Sequence, residues 1–241
     1  MFAGLQDSLL SLTYPQQCRV CGSHVESQKD GVACHECWAA TRIFDGSEML
    51  CDKCGAFFGD KAAPKPVFCH KCDDHFYDKA MACGIYEKGL AAAIVNLKNV
   101  PSLSRRVKTV LSNLNKLDGL DLDLIIPVPL SKHRRLERGF NQAEIIGEII
   151  SRSTRKPIDA HSLVRKRHTP IHRVGMDKKA RELTVKNAFE VARPKLIEGK
   201  NILLVDDVLT SGATASSCAK ILKKHGALMV NVLTLARAVM N

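Results

Sequence analysis

The stretch Asn201-Ile-Leu-Leu-Val-Asp-Asp-Val-Leu-Thr-Ser-Gly-Ala-Thr214 carries the first decision about the fold. Asn201 to Val205 is a short apolar run that reads as a buried strand. It runs straight into Asp206 and Asp207. A Thr/Ser/Gly turn follows, and then a helical pattern from Ala213 to His225 that Gly226 ends. Such a turn exposes successive backbone N–H groups, here from Leu209 to Thr214, at a helix N-terminus, where the helix dipole favours an anion. Thr210, Ser211 and Thr214 add hydroxyl donors, and Gly212 lets the anion approach closely because it has no Cβ. Adjacent carboxylates beside an anion site repel each other unless they bind hydroxyls or a cation. A ribose diol with Mg²⁺ nearby offers both.

Outward from this stretch, strand and helix signals alternate. Met81 to Tyr86 and Leu122 to Val128 read as strands, the second ending at Pro129, and Met229 to Leu235 closes the series. Gly89 to Leu97, Leu103 to Leu114 and Asn141 to Ser151 have helical periodicity, the last with Ala143, Ile145, Ile146 and Ile149/Ile150 inward. This alternation predicts an α/β fold, a parallel sheet covered by helices on both faces. Residues Lys132 to Arg138 read as a basic turn after Pro127 and Pro129. Arg134, Arg135 and Arg138 there offer charge-assisted donors to a pyrophosphate, with about half of these charges expected to be solvated. An unrelated doubly wound nucleotide domain with an acidic strand end would share much of this pattern.

The N-terminal third is different. Of ten cysteines, eight fall within residues 18–72 as four Cys-x-x-Cys pairs. The pairs form a repeat: Cys18/Cys21-Gly22 leads to Cys34/Cys37, and Cys51/Cys54-Gly55 leads to Cys69/Cys72, with 12 and 14 residues between the pairs. Two cysteines on a tight turn supply one edge of a ZnS₄ tetrahedron, and the following glycine permits the left-handed backbone that turns amides toward sulfur. Two closed, structural zinc sites result. Sequential pairing is preferred, with cross-bracing and redox Cys-x-x-Cys pairs as alternatives. His35 and His70 read as exposed knuckle residues, and Cys83 and Cys218 as small buried apolar residues. The boundary between modules is placed near residues 73–80, giving 1–76 and 77–241.

Composition narrows the function classes. The chain of 241 residues has 45% hydrophobic residues, which argues against bulk disorder. A net charge of +11 favours polyanionic partners: nucleic acid, phosphorylated metabolites or anionic membrane. No apolar run reaches the roughly 20 residues that span a bilayer, so membrane insertion is not expected. Met1 to Tyr14 lacks a basic segment before its short apolar stretch, so no secretion signal is read and a cytoplasmic location is expected.

Val205-Asp-Asp-Val-Leu-Thr-Ser-Gly-Ala-Thr214 resembles the 5-phosphoribosyl-1-pyrophosphate (PRPP) signature of type I phosphoribosyltransferases, with Ser211 where threonine is usual. Ile125-Ile-Pro-Val-Pro-Leu-Ser-Lys-His-Arg-Arg-Leu-Glu-Arg-Gly-Phe-Asn-Gln142 resembles a stretch of the ComF/GntX-like group, which joins a cysteine-rich module to such a domain. The resemblance covers essentially the whole chain. It implies a type I phosphoribosyltransferase-like parallel sheet behind a double zinc ribbon. It implies that Asp206 and Asp207 hold the ribose hydroxyls of PRPP. It also implies that the turn through Leu209, Thr210, Ser211, Gly212, Ala213 and Thr214 contacts PRPP, with Thr210 to Thr214 around the 5-phosphate. A loop covers the site in such transferases; Arg165 to Arg181 has the position and charge for it, with His172 and Arg173 as candidates, although Ile171-His172-Arg173 stands where a glutamine is common. The implied reaction is displacement of pyrophosphate from PRPP, with an association to DNA uptake. Single-stranded DNA and competence-machinery proteins are the implied partners, and a non-enzymatic protein using the PRPP site as a sensor is the rival reading.

Overall fold

A computed structural model describes residues 14–112, 117, 119–166 and 188–239. Residues 14–70 carry little regular structure: a one-turn helix α1 (His35–Ala39) and the short antiparallel strands β1 (Met49–Leu50) and β2 (Phe57–Gly59). Beyond them the elements are β3 (Lys79–Ile85), α2 (Lys88–Leu97), α3 (Arg105–Ser112), β4 (Leu124–Pro127), α4 (Lys132–Arg138), α5 (Gln142–Thr154), β5 (Leu163–Arg165), β6 (Phe189–Val191), β7 (Asn201–Leu209), α6 (Ala213–Lys224) and β8 (Met229–Arg237).

Four of these strands form the expected parallel sheet, in the order β3-β8-β7-β4. Successive side chains of a strand point to opposite faces, and both faces here are covered, so continuous apolar runs such as Ile202 to Val205 of β7 replace an alternating pattern. Leu203 and Val205 of β7 join Leu233 and Leu235 of β8 on one face, with Leu90 and Ile94 of α2, Val107 of α3 and Ile146 and Ile150 of α5. Ile202 and Leu204 face the other way, with Val230 and Val232 and with Cys218, Ala219 and Leu222 of α6. The free cysteines Cys83 and Cys218 are both buried in these layers, as expected. β5 and β6 stand apart as a small antiparallel ribbon that brings Lys166 and Ala188 within hydrogen-bonding distance, 2.9 Å.

Two segments differ from the sequence reading. β7 does not stop at Val205; it continues through Asp206 and Asp207 to Leu209, because β8 runs beside it as far as Arg237 and keeps supplying backbone partners. The basic segment Lys132–Arg138 is a helix, not a turn. Ser131 caps its start, accepting the Arg134 N–H at 3.4 Å, and left-handed Gly139 ends it. The same logic explains Asn141, which is buried: its Oδ1 caps α5 through the Ala143 N–H at 3.1 Å, and its Nδ2 donates to the Val128 carbonyl at 3.0 Å. The polar residues of this stretch therefore hold the loop after β4 in shape.

The cysteine-rich part docks on the outer side of β3. The N–H of Phe44 donates to the Cys83 carbonyl, that of Ile85 to the Arg42 carbonyl and that of Ala80 to the Lys53 carbonyl, at 2.7–2.9 Å. Cys18, Cys34, Cys37 and Trp38 lie in one apolar cluster with Leu90, Ile94 and Leu97 of α2. Asp30 adds a polar link, accepting from Arg105 at 2.9 Å and from Arg106 at 3.3 Å.

Candidate functional site

The eight paired cysteines gather into two tetrads, Cys18/Cys21/Cys34/Cys37 and Cys51/Cys54/Cys69/Cys72, with all four sulfurs of each within 4.8 Å of one another. Each tetrad joins consecutive pairs, so the pairing is sequential and cross-bracing is excluded. A Zn–S distance of about 2.3 Å places tetrahedral sulfurs about 3.8 Å apart. The sulfur–sulfur separations are close to this: 3.6 Å for Cys21–Cys34, 3.7 Å for Cys51–Cys72 and 3.4 Å for Cys54–Cys69. Gly22 and Gly55 are both left-handed, with φ of 80° and 64°. Amides turn toward sulfur as that geometry allows: Cys34 N–H lies 3.3 Å from Cys18 Sγ, and Cys69 N–H lies 3.4 Å from Cys51 Sγ.

Within each tetrad the thiols ionise unequally. Burial raises the Cys18 thiol, but backbone hydrogen bonds at Cys21, Cys34 and Val20 outweigh it and bring it down to about 6. Burial likewise opposes the Cys51 thiolate, and backbone hydrogen bonds at Cys54, Cys69 and Lys53 lower it to about 7. Cys37 and Cys72 are pushed up, by burial first and then by their neighbouring thiols. One thiolate forms readily and disfavours the next; a dication at the centre stabilises all four. The two tetrads fit two structural zinc ions with no ligand position left for chemistry. His35 and His70 are exposed, as expected of knuckle residues.

The second constellation lies at the C-terminal ends of the sheet strands, the end where parallel α/β sheets bind ligands. Asp206 and Asp207 are half-buried, and the Asp207 N–H donates to Asp206 Oδ1 at 2.9 Å. Burial, then the Asp207 charge, raises the Asp206 carboxyl well above the usual carboxylate range, while Arg165 acts in the opposite direction. Arg165 ends β5 and stacks over Phe189, 5.3 Å from the ring centre. Burial, then the charge of Arg134, lowers its own pKa, which puts Arg134 in the same neighbourhood. Tyr86, just past β3, completes the group: burial, then Asp207, raises its phenol.

After Leu209, which is 3% exposed and still strand, the chain turns through exposed Thr210, half-buried Ser211 and buried Gly212 into α6. Gly212 is left-handed, φ 80°, and a Cβ there would stand 2.7 Å from His75 Cε1 and 2.9 Å from the Tyr77 hydroxyl. No larger residue fits without displacing those rings. Ser211 Oγ lies 3.4 Å from the Ala213 N–H, and Thr214 sits half-buried in the first turn of α6.

The three arginines of α4 part ways. Arg134 lies near enough to Arg165 for its charge to act there, and Arg165 in turn acts on Asp206. Arg135 forms a two-pronged ion pair with Glu144 of α5, at 2.5 and 3.1 Å. Arg138 lines a separate hollow with Val95, Lys98, Asn99 and Glu137. His172 and Arg173 lie outside the described residues. Four residues beside this site were not singled out from sequence: Tyr86, His75, Tyr77 and Arg237, whose Nη1 donates to the Leu209 carbonyl at 2.9 Å. Arg237 had a signal, since a lone arginine at the end of an apolar strand needs a buried partner.

Comparison with known proteins points the same way. Residues 9–92 match the double zinc ribbon domain family and residues 156–239 the phosphoribosyl transferase domain family. The chain is 29% identical to DNA utilization protein YhgH of Escherichia coli (strain K12) over 235 residues, covering 94% of this chain and 99% of that one. It is 30% identical to competence protein F of Haemophilus influenzae over 232 residues, covering 92% and 97%. Competence protein ComFC of Bacillus subtilis (strain 168) aligns at 35% identity over 116 residues, 48% of this chain and 45% of that one.

Proposed function

Since the chain belongs to the ComF-like family of competence protein F, we propose that it binds PRPP at the end of β7 and transfers its phosphoribosyl group. The observation that carries this reading is the convergence of the Asp206/Asp207 pair, the Gly212 turn into α6, and the cations Arg165 and Arg134. Asp206 and Asp207 accept hydrogen bonds from the ribose hydroxyls. The amides and hydroxyls of Thr210 to Thr214 take the 5-phosphate. Arg134 and Arg165 face the pyrophosphate. Two adjacent carboxylates suit Mg²⁺, which is commonly held by one or two carboxylates and completed by phosphate oxygens. When bound, it neutralises charge on the leaving pyrophosphate.

In the reaction, the C1–O bond to pyrophosphate breaks and its electron pair leaves with pyrophosphate. A nucleophile, usually a base nitrogen, forms the new bond to C1 and releases its proton. The chain's own work is positioning and charge stabilisation: carboxylates fix the ribose, the turn fixes the phosphate, and the arginines stabilise the departing charge. A second role is supported by the net charge of +11 and by relatives named for competence and DNA utilization. In it, single-stranded DNA or competence-machinery proteins bind the basic surface, and the PRPP site serves that process, as catalyst or sensor.

Calorimetric titration of PRPP with Mg²⁺ tests the first role. Asp206→Ala or Asp207→Ala each removes charged hydrogen bonds of about 1.5–3 kcal/mol, roughly ten- to hundredfold in affinity. Unchanged affinity in the double variant refutes the ribose assignment. For the second role, fluorescence anisotropy with an oligonucleotide should show affinity falling steeply with salt. Competition by saturating PRPP puts the DNA at the site, and undiminished binding puts it elsewhere.

A further inference from the structure

Arg237 closes β8 and is only 6% exposed although it is charged. Its Nη1 donates to the Leu209 carbonyl at 2.9 Å and also to the Thr210 carbonyl. Its Nη2 lies 3.8 Å from Cys54 Sγ. One guanidinium thus touches the end of β7, the first residue of the turn and a ligand of the second cysteine tetrad. The described chain has no cis peptide, and in a trans peptide the carbonyl and the following N–H point in opposite directions. Holding the Leu209 and Thr210 carbonyls on the Arg237 side therefore turns the N–H groups of Thr210 and Ser211 to the other side, where they are available to an anion.

A second path starts at the same tetrad. The Cys72 carbonyl accepts the His75 N–H at 3.1 Å, and His75 Nδ1 lies 2.6 Å from the Tyr77 hydroxyl. Those two rings are the surfaces that Gly212 packs against. Between them, the Phe76 N–H donates to Ser216 Oγ in the first turn of α6 at 3.1 Å. Charge favours the first path as well. Four thiolates around one dication carry a net charge of about −2, a counter-charge that a buried guanidinium needs.

We propose that Arg237 is a positioning residue that carries the metal state of the second tetrad to the phosphate turn, so that anion binding depends on a metal the ligand never touches. The proposal rests on reading residues 206–214 as the PRPP site. The first tetrad sits in a different part of the core, with Trp38, Leu90 and Ile94, and is not assigned this role.

The test uses the full-length, zinc-loaded chain. Arg237→Lys keeps the charge but offers one compact ammonium, which cannot bridge two carbonyls and a sulfur as a planar fork does. Two zinc ions per chain should remain. Hydrogen exchange at the Thr210–Thr214 amides should quicken by about tenfold, and PRPP affinity should fall by about the same factor, the scale of one hydrogen bond to a charged group. Exchange at Ile125 and Ile126 of β4 serves as the internal reference. Cys69→Ser, in the second tetrad, should quicken the same turn amides, and Cys34→Ser, in the first, should not. Turn exchange at the wild-type level in Arg237→Lys, or an equal change in both cysteine variants, overturns the proposal. If Arg237→Lys does not fold, the cysteine pair decides alone. Exchange needs no ligand, so failure of wild-type chain to bind PRPP would refute the site reading, while the exchange result separately decides the coupling.

Discussion

Asp206 sits half-buried with the charge of Asp207 beside it, and both raise its carboxyl well above the ordinary range. Its folded-state pKa exceeds the unfolded one, so its contribution to stability is full below the unfolded value and fades as pH rises through the folded value. Ligand binding has the opposite sign. Mg²⁺ and ribose hydroxyls prefer the ionised carboxylate, so PRPP binding should expel a proton and strengthen as pH rises through that elevated value. Calorimetry in buffers of different ionisation enthalpy reads the proton directly, and Asp206→Asn should abolish its release. No proton release in the wild-type chain would mean that the carboxyl binds in its protonated form. The acidic pair itself was legible in sequence because two carboxylates at a strand end are costly without a ligand. Arg165 was legible only as one of several basic residues, because its burial and its approach to Asp206 depend on β6 returning from far along the chain.

At the level of elements, the strands and the long helices followed from hydrophobic periodicity, and differences arose where neighbours decide. β7 outlasts its apolar run because β8 continues beside it. The segment Lys132–Arg138 has no buried residue and hence no apolar stripe to read; caps at Ser131 and Gly139 make it a helix. That caps rather than burial hold α4 leads to a prediction: Ser131→Ala should cost about 1 kcal/mol and loosen the helix carrying Arg134, lowering PRPP affinity while the zinc content stays the same. Helical NMR shifts over residues 132–138 would measure it. The join between modules is testable in the same way. A Cβ on Gly84 of β3 would stand 2.4 Å from the Arg42 carbonyl and 3.2 Å from Ile43 Cα, both backbone. Gly84→Ala should destabilise the chain by about 1–3 kcal/mol, as overpacking does, in a thermal melt. The wild-type midpoint in that variant would show that the strand and the 42–44 segment separate easily.

Across the whole molecule, the boundary that the sequence suggests near residues 73–80 separates two compositions while apolar clusters span both. Cysteines of each tetrad pack in the same clusters as the sheet and its helices. Zinc binding energy is therefore folding energy for more than the ribbon. A chelator titration followed by circular dichroism should show a loss of structure that extends past the ribbon into the sheet, with elemental analysis giving two zinc ions per native chain; a loss confined to the ribbon would mean that the halves fold independently. No helix among the described residues is long and apolar enough to cross a membrane. The hydrogen bonds from residues 42–44 and Lys53 to β3 have one more consequence. A fragment beginning at residue 77 would leave that strand with a bare row of amides and carbonyls, a template on which a second unfolded chain can add by strand pairing. Such a fragment should come out of a cell as aggregate, and zinc starvation should send newly made full-length chains along the same route. In that sense the metal ribbon is a guard against self-association.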